Sequence, residues 1–194
     1  MANKDAAFGM KPVRMIGGAP YSGGTSRYRI AANYGTSIFQ GDMVAQVTGG
    51  TVEVHADGGT VPIVGVFNGC QFTDPTTGEQ VFQNFYPAST NASDIIAFVI
   101  DDPNVVYEVQ ADDTFPVADL FGNFDIVYTS SGSTKTGISG AELDVTTGAT
   151  NTNLPIKAID ISQDPNNDDV ASANTNVLVV IQNSIFGVKG AGLA

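Results

Sequence analysis

Residues 61–72 read VPIVGVFNGCQF, one of the most apolar runs in the chain, and they contain its single cysteine, Cys70. Within this run, IVGVF at residues 63–67 is apolar on both phases, which predicts a strand that is buried on both faces. A reactive thiol needs a nearby cation, a histidine or a helix N-terminus to lower its pKa, and no Lys, Arg or His lies within eight residues of Cys70. We therefore expect Cys70 to be a core residue that follows a glycine bulge, and not a catalytic nucleophile.

Two further segments, IIAFVI at residues 95–100 and VLVVI at residues 177–181, are also apolar on both phases. Each needs a cover on both faces, which the middle of a sandwich, an overlying loop or another subunit would provide. In LPIKAIDIS the predicted inward side chains are first Ile156 and Ala158 and then Ile159 and Ile161. This change from even to odd positions predicts a β-bulge.

Residues 51–56, 105–110 and 141–147 alternate between apolar and polar side chains, which is typical of half-buried strands. The predicted inward side chains are Val52, Val54, Ala56, Val105, Tyr107, Val109, Leu143 and Val145. Turn residues predict hairpins in QVTGGTVEV and at the linker DDPN, residues 101–104. The best helical candidate is PVADLF, a turn or two that Gly122 would end.

Short apolar segments separated by turn residues recur along the chain, and this spacing predicts an all-β fold, either a β-barrel or a β-sandwich. The beginning of the chain differs, because five glycines and two prolines leave no sustained period there. We expect an extended N-terminal arm over residues 1–24 and a single β domain over residues 25–194. One cysteine allows no internal disulfide, and a chain of 194 residues needs none to fold.

Charge divides the chain near the same place. The formal net charge is −12, yet five of the eight basic residues lie among the first 29 positions, with one acid. The remaining positions carry three basic and nineteen acidic side chains, a net −16. Nucleic acids and anionic membranes are recognised through clustered Lys and Arg, so we expect neither as a partner. The basic arm either binds an acidic protein surface or is a solvated terminus.

A secretory signal would need a continuous apolar stretch after a basic start, and the first 18 residues interrupt every such stretch with charge or glycine. No apolar run reaches the roughly 18 residues that span a membrane as a helix. We therefore expect the chain to fold in the cytoplasm in which it is made.

Motifs that carry chemistry are mostly absent. His55 is the single histidine, and it lies on the polar phase of its strand, where we expect it to be exposed. No Gly-x-Ser-x-Gly elbow and no phosphate-binding loop is present. DPNNDD, residues 164–169, has the first spacings of a calcium loop, but Asp169 stands where the turn glycine belongs and Thr175 replaces the bidentate glutamate. We expect a solvated loop there, and no enzyme activity, cofactor or metal.

Three stretches follow the short basic start that is rich in Gly and Pro: GDMVAQVTGGTVEV, VGVFNGCQFTDPTTGEQVFQNFYP and IIAFVIDDPNVVYEVQ. Together they resemble small virion structural proteins of tailed bacteriophages, in particular head decoration (cement) proteins. The resemblance covers roughly residues 25–190 and carries no catalytic role.

The resemblance implies a β-barrel or β-sandwich that forms homo-oligomers, with trimers favoured, on the outer capsid surface of the virion. The chain would be made in the host bacterial cytoplasm and would then bind the major capsid protein, bridging adjacent subunits to stabilise the shell. The expected contact residues lie in or beside the arm: Lys4, Phe8, Lys11, Arg14, Tyr21, Arg27 and Tyr28. The open alternatives are another virion component, such as a tail-tube or head-tail joining protein, and a calcium- or carbohydrate-binding β module.

Overall fold

The computed structural model describes residues 2–187, and this part of the chain is nearly all β. Its strands are β1 Lys11–Met15, β2 Ser26–Arg29, β3 Ile38–Phe39, β4 Met43–Val47, β5 Thr51–Val54, β6 Ile63–Thr73, β7 Gln80–Gln83, β8 Phe85–Tyr86, β9 Ile96–Ile100, β10 Val105–Gln110, β11 Asn123–Tyr128, β12 Ala141–Ala149, β13 Ile156–Ile161 and β14 Asn176–Ile181. Residue 1 of the predicted arm and residues 188–194 of the predicted domain lie outside the described residues. Among residues 2–187 no helix is long and apolar enough to cross a membrane.

Five strands close into a barrel. Around the ring their order is β4, β5, β2, β9 and β6, and β6 pairs back with β4. β5 and β2 run parallel and meet at Thr51 and Arg29, whereas the other ring pairs are antiparallel. β7 extends the ring as an outer strand paired with β6. The core cluster of this barrel contains Ile30, Ile38, Val44, Val52, Val64, Phe67, Cys70, Phe72, Tyr86, Ala92, Ile95, Ala97 and Val99.

A second sheet has six antiparallel strands in the order β1, β10, β14, β13, β11 and β12. A bridge between Ala111 and Leu143 draws β12 back towards the end of β10. The core of this sheet is lined by Met10, Val105, Tyr107, Val109, Ala111, Phe115, Phe124, Ile126, Leu143, Ile156, Ala158, Ile161, Val177, Val179 and Ile181, together with Met43, Ile63, Val66 and Ile100 from the barrel strands and their ends.

Strand β6 therefore contributes to both cores. Val64 and Phe67 pack inside the barrel, whereas Val66 packs against the second sheet. Gly65 lies so close to β9 that an added Cβ would be 2.1 Å from the carbonyl oxygen of Ile100. The apolar segment at residues 63–67 is thus buried on both faces within one chain, and it needs no second subunit.

Cys70 is a buried residue of β6, as the sequence predicts. Its side chain is 1% exposed, and its Sγ donates to the carbonyl oxygen of Phe85 at 3.4 Å. The register of β6 shifts between Phe67 and Gly69, and Gly69 has a φ of 141°, which a residue with a side chain rarely adopts. Burial raises the pKa of the Cys70 thiol to about 12, so the thiolate is not available for chemistry near neutral pH.

One predicted hairpin is confirmed and the other is wrong. β4 and β5 pair directly, and Gly50 N donates to the carbonyl oxygen of Val47 at 3.2 Å. Residues 101–104 also form a turn, in which Asn104 N donates to Asp102 Oδ1 at 2.8 Å. However, this turn carries the chain from β9 in the barrel to β10 in the second sheet. Turn residues reverse the direction of the chain, but pairing with distant strands decides which sheet each flanking strand joins.

Val105, Tyr107 and Val109 face the core of the second sheet, as predicted. However, Val106, Glu108 and Gln110 are buried as well, so the prediction that this strand is half-buried is wrong. β13 has its register shift between Ala158 and Asp160, which confirms the bulge. The predicted short helical segment is a 3-10 helix, Val117–Asp119, and Gly122 follows it.

The prediction that His55 is exposed is wrong. The sequence places it on the exposed phase of its strand, but its side chain is 1% exposed, and Ala56 is exposed instead of inward. β5 ends at Val54, and His55 N donates to the carbonyl oxygen of Met43 at 2.8 Å. Alternation stops where the strand stops, so the pattern could not place the next side chain.

The structure does not show the extended arm predicted for residues 1–24. Residues 2–15, here called the N-terminal segment, lie on the second sheet, and Lys11–Met15 is its edge strand β1. Met10 is 1% exposed in the core. The sequence KPVRM hides this strand because Pro12 and two charged residues break the apolar pattern, yet proline and charge are common on sheet edges. Residues 16–25 form a mostly exposed loop.

Candidate functional site

The N-terminal segment is held in place by side chains on the outer face of the second sheet. Ala6 N donates to Gln110 Oε1 at 2.9 Å, and Gln110 Nε2 donates to the carbonyl oxygen of Lys4 at 2.9 Å. Asn3 Nδ2 donates to the carbonyl oxygen of Asp169 at 2.9 Å, and Asn3 Oδ1 accepts from Asp169 N at 3.2 Å. The backbone of the segment is therefore fixed, while the Lys4 side chain is exposed.

Lys11 lies over a buried carboxylate. Its Nζ is 2.9 Å from Glu108 Oε2, and Glu108 Oε1 accepts from Ser162 Oγ at 2.5 Å and from Asn176 Nδ2 at 3.3 Å. Burial acts to raise the pKa of Glu108, but the hydrogen bonds from Ser162 and Lys11 outweigh it and leave this pKa lowered. Glu108 is thus ionised at neutral pH, and Lys11 still presents a side chain that is 62% exposed.

The structure brings together three of the seven residues that the sequence argument selects. Lys11 Nζ is 5.9 Å from the ring centroid of Phe8, which is within the range of a cation–π contact. Phe8 also lines a shallow cleft with Lys4 and Gln110. Lys4, Phe8 and Lys11 are therefore neighbours, here called the basic surface; Asp164 lines the same cleft, and Glu108 pairs with Lys11.

The other four selected residues lie elsewhere and contact other residues of the chain. Arg14 Nη1 donates to the carbonyl oxygen of Met15 at 3.4 Å, and Tyr21 Oη donates to that of Gly24 at 2.8 Å. The Arg27 guanidinium is 5.9 Å from the ring centroid of Phe98. Tyr28 Oη donates to Asp101 Oδ2 at 2.8 Å. Burial and this carboxylate raise the pKa of Tyr28 to about 12, so this hydroxyl is engaged within the chain.

A largely apolar pocket of about 220 Å³ opens beside the basic surface. We call it the Phe8 pocket; its rim includes Phe8, Lys11, Asn68 and Ile138. The remaining wall comes from Met10, Pro12, Gln40, Gly41, Val66, Phe67 and Ile100. Ile138 is 40% exposed there. These residues come from five separate parts of the sequence, so no local pattern could have predicted the pocket.

The loop at residues 164–169 supports the N-terminal segment. Asp164 Oδ1 accepts from Asn166 N at 3.0 Å, which makes a local turn, and Asn167 Nδ2 donates to the carbonyl oxygen of Lys4 at 2.9 Å. Within residues 2–187 no three His, Cys, Asp or Glu side chains converge in a way that could hold a metal ion. The hydrogen bond from Asn167 therefore connects this loop to the N-terminal segment.

A second group of polar residues surrounds His55, and the sequence argument missed it. Asp42 is 3% exposed and accepts from Phe39 N at 2.7 Å and from Ser139 Oγ at 2.5 Å. Burial raises the pKa of Asp42 to about 6. Asp42, His55 and Tyr128 line one pocket, although Tyr128 is more than seventy positions from His55 in the sequence. No local sequence signal links them.

No family model, no curated protein and no solved structure matches this chain significantly. A functional proposal for the chain therefore depends on the contacts described above and on the sequence resemblance.

Proposed function

We propose that this chain is a non-enzymatic capsid decoration protein of a tailed bacteriophage. It binds the outer capsid surface and bridges adjacent major capsid protein subunits, which stabilises the shell. The observation that carries the proposal is the basic surface of Lys4, Phe8 and Lys11, which is fixed on an otherwise acidic body beside the Phe8 pocket. The sequence resemblance is what identifies the partner as a capsid protein.

Charge gives the first part of the binding mechanism. Lys4, Lys11 and Arg14 belong to the N-terminal segment, whereas the chain after residue 29 has a net charge of −16. An acidic patch on the capsid would attract the basic surface and be repelled by the rest of the molecule, so charge orients the encounter. Exposed ion pairs contribute little individually and are screened by salt. This part of the binding is therefore weak and salt-dependent.

The Phe8 pocket gives the second part. Interfaces are usually dominated by a few apolar or aromatic side chains that fill a pocket near their centre. A volume of about 220 Å³ accommodates one aliphatic or aromatic side chain. Lys11 at the rim pairs with Glu108 and contacts Phe8, so the entrance is preorganised. A capsid side chain in this pocket would set the register of the contact.

One edge of β7 pairs with no strand of residues 2–187, and this edge supports self-association. β7 reads QVFQ and carries no charge, proline or bulge, the usual devices that protect an edge strand. Phe82 in this strand is 65% exposed. β1, the edge of the other sheet, carries Lys11, Pro12 and Arg14 instead. A second copy of the chain pairing along β7 would bury Phe82, in accordance with the homo-oligomer, with trimers favoured, that the resemblance implies.

Many copies of the protein would bind one capsid shell, so weak individual contacts are sufficient for stable attachment. Each decoration unit binds several capsid subunits, and linked binding events add an effective concentration to each further contact. The same logic would hold for another virion position, such as a tail tube or head-tail joint. That alternative differs because purified protein would form open-ended tubes or rings and would not bind heads.

The test is co-sedimentation with capsids that lack their decoration, at low and at high salt. Lys4→Glu should weaken binding at least several-fold at low salt, because the Lys4 side chain is exposed and its loss leaves the backbone contacts in place. Ile138→Ser should weaken binding at both salt concentrations, because it makes the rim of the Phe8 pocket polar.

Lys135→Glu is the matched control. It changes the net charge by the same amount at an exposed position outside the N-terminal segment. It should bind almost as the parent protein does. Equal losses for Lys4→Glu and Lys135→Glu would show a general charge effect and reject the basic surface, and no binding by the parent protein would reject the decoration function.

A further inference from the structure

A pocket of about 210 Å³ lies where the barrel meets the second sheet. Its wall combines Asp42 before β4, Val54 and His55 at the end of β5, Asp57 in the following loop and Tyr128 at the end of β11. The wall is mostly apolar, and side chains that carry polar atoms form part of it, as in many small-molecule sites. Neither the basic surface nor the Phe8 pocket uses these residues.

Two polar atoms of this pocket are buried without a partner. His55 Nε2 and Tyr128 Oη make no hydrogen bond to any described residue. A buried polar atom without a partner costs about 1–3 kcal/mol, and each such atom in a folded protein calls for an explanation. Two of them in one pocket indicate a place where a ligand group completes the hydrogen bonds.

Gly59 helps to place the imidazole. An added Cβ at Gly59 would lie 2.9 Å from His55 Cε1 and 3.1 Å from Nε2, so the glycine allows the backbone to approach the ring closely. Burial lowers the pKa of His55, while a backbone hydrogen bond with Gly59 acts in the opposite direction. Nε2 has no hydrogen-bond partner among the described residues, so a neutral ring with its proton on Nδ1 would offer Nε2 as an acceptor.

Two carboxylates add further acceptors to the pocket, whose lining also includes the hydroxyls of Thr36, Ser37 and Ser131. Asp42 supplies a buried carboxylate, and Asp57 supplies a second carboxylate at the more exposed side. Burial and then Asp42 hold the pKa of Tyr128 well above its ordinary value, so its hydroxyl is neutral. None of the described residues that line the pocket is Lys or Arg. The lining formed by residues 2–187 therefore carries two carboxylates and no cation.

We propose that this pocket binds a primary ammonium group carried on a short apolar chain. An ammonium group has three N–H donors and no acceptor, which matches His55 Nε2, Tyr128 Oη and the Asp42 carboxylate. The apolar wall, including Val54, would cover the chain. The same chemistry is offered by a free alkylamine and by a lysine side chain of a partner protein, and the experiment separates these sources. The proposal does not depend on the decoration function.

The experiment follows the imidazole resonances of His55, the single histidine, by NMR during titration with n-butylammonium chloride. We expect a saturable shift with n-butylammonium and a much weaker effect of n-butanol at the same concentration, with sodium chloride as the ionic-strength control. Lysine derivatives with a blocked side-chain amine are not used. The second ligand is Nα-acetyl-lysine N-methylamide, a lysine analogue whose side-chain ammonium group is free. Tighter binding of that compound identifies a lysine side chain as the ligand, and tighter binding of n-butylammonium identifies a free amine.

Two variants make the assignment specific. Tyr128→Phe removes one acceptor and should weaken n-butylammonium binding roughly five- to ten-fold, which corresponds to one hydrogen bond. Asp42→Asn should weaken n-butylammonium more than n-butanol because it removes the charge. Tyr28→Phe is the matched control, since the Tyr28 hydroxyl bonds Asp101 outside this pocket. A linear, non-saturating response in the parent protein, or equal binding of n-butanol, would overturn the proposal.

Discussion

The Asp42 carboxylate accepts a hydrogen bond from the Ser139 hydroxyl at 2.5 Å, and the two residues are 97 positions apart. Asp42 precedes β4 of the barrel, and Ser139 precedes β12 of the second sheet. Ser139 Oγ also accepts from Ala141 N at 2.9 Å. This contact therefore joins the two sheets at a buried point, next to the pocket that contains His55.

The pH dependence of stability should change when Asp42 is replaced by Asn. Burial raises the pKa of Asp42 from 3.8 to about 6 in the folded protein, so the folded state binds this proton more tightly than the unfolded state. Asp42 therefore adds stability below about pH 4, and this stability is lost as the pH rises to about 6. A shift of two pKa units corresponds to about 3 kcal/mol.

Urea unfolding of both proteins across this range measures the effect. In the parent protein, the free energy of unfolding should fall between about pH 4 and pH 6 because Asp42 loses its proton. Asp42→Asn lacks this fall, so the variant gains stability relative to the parent as the pH rises. His55 acts in the opposite sense, because burial lowers its pKa, but it is present in both proteins. Parallel pH profiles would show that Asp42 is not the titrating group.

Gly65→Ala should be severely destabilising. A Cβ at this position would lie 2.1 Å from the carbonyl oxygen of Ile100 and 2.7 Å from Val99 Cγ1, so β6 and β9 would have to separate. We expect a loss of about 3 kcal/mol or more, or failure to fold. Gly24→Ala is the control, because no atom lies within 4 Å of its added Cβ and its φ is not positive. Equal stability of the two variants in chemical denaturation would contradict the packing of β6.

Cys70 should react with a thiol reagent only after unfolding. Its thiol is buried and its pKa is raised to about 12, so both access and thiolate formation are suppressed. The measurement compares labelling rates in buffer and in denaturant. Rapid labelling of the native protein at neutral pH would show that the β6 region opens readily, which would conflict with the buried strand.

Asn3→Ala should destabilise the protein although Asn3 lies almost at the beginning of the chain. Its amide donates to the carbonyl oxygens of Asp169 and Ala173, both at 2.9 Å, and those groups would lose a partner. We expect a loss of about 1–2 kcal/mol in thermal or chemical unfolding. Lys4→Ala is the matched control, since its side chain is exposed, and it should change stability by less than about 0.5 kcal/mol.

Deletion of residues 1–24 should reduce stability as well as any capsid binding. The deletion removes Met10 from the core, the Lys11–Glu108 ion pair and the whole of β1. A sequence argument that treats these residues as an arm predicts instead that the fold survives unchanged. Circular dichroism and the melting temperature decide between the two, and an unchanged melting temperature would show that the N-terminal segment is not part of the folded unit.

The sequence by itself determined those features that depend on neighbouring residues. Alternation and apolar runs predicted an all-β chain, the inward residues of β10, the bulge in β13 and the hairpin of β4 and β5. The absence of cations near Cys70 predicted a buried, unreactive thiol. These predictions hold because side chains of a strand alternate between two faces whatever the strand pairs with.

Only the tertiary structure decided what lies against each face. The DDPN turn joins two sheets because β9 and β10 each pair with distant strands, and His55 is buried because its strand ends one residue earlier. The N-terminal segment folds onto Gln110 and Glu108 through contacts that span about a hundred positions. Both pockets are assembled in the same way. Such contacts depend on long-range strand pairing, which local residue patterns do not encode.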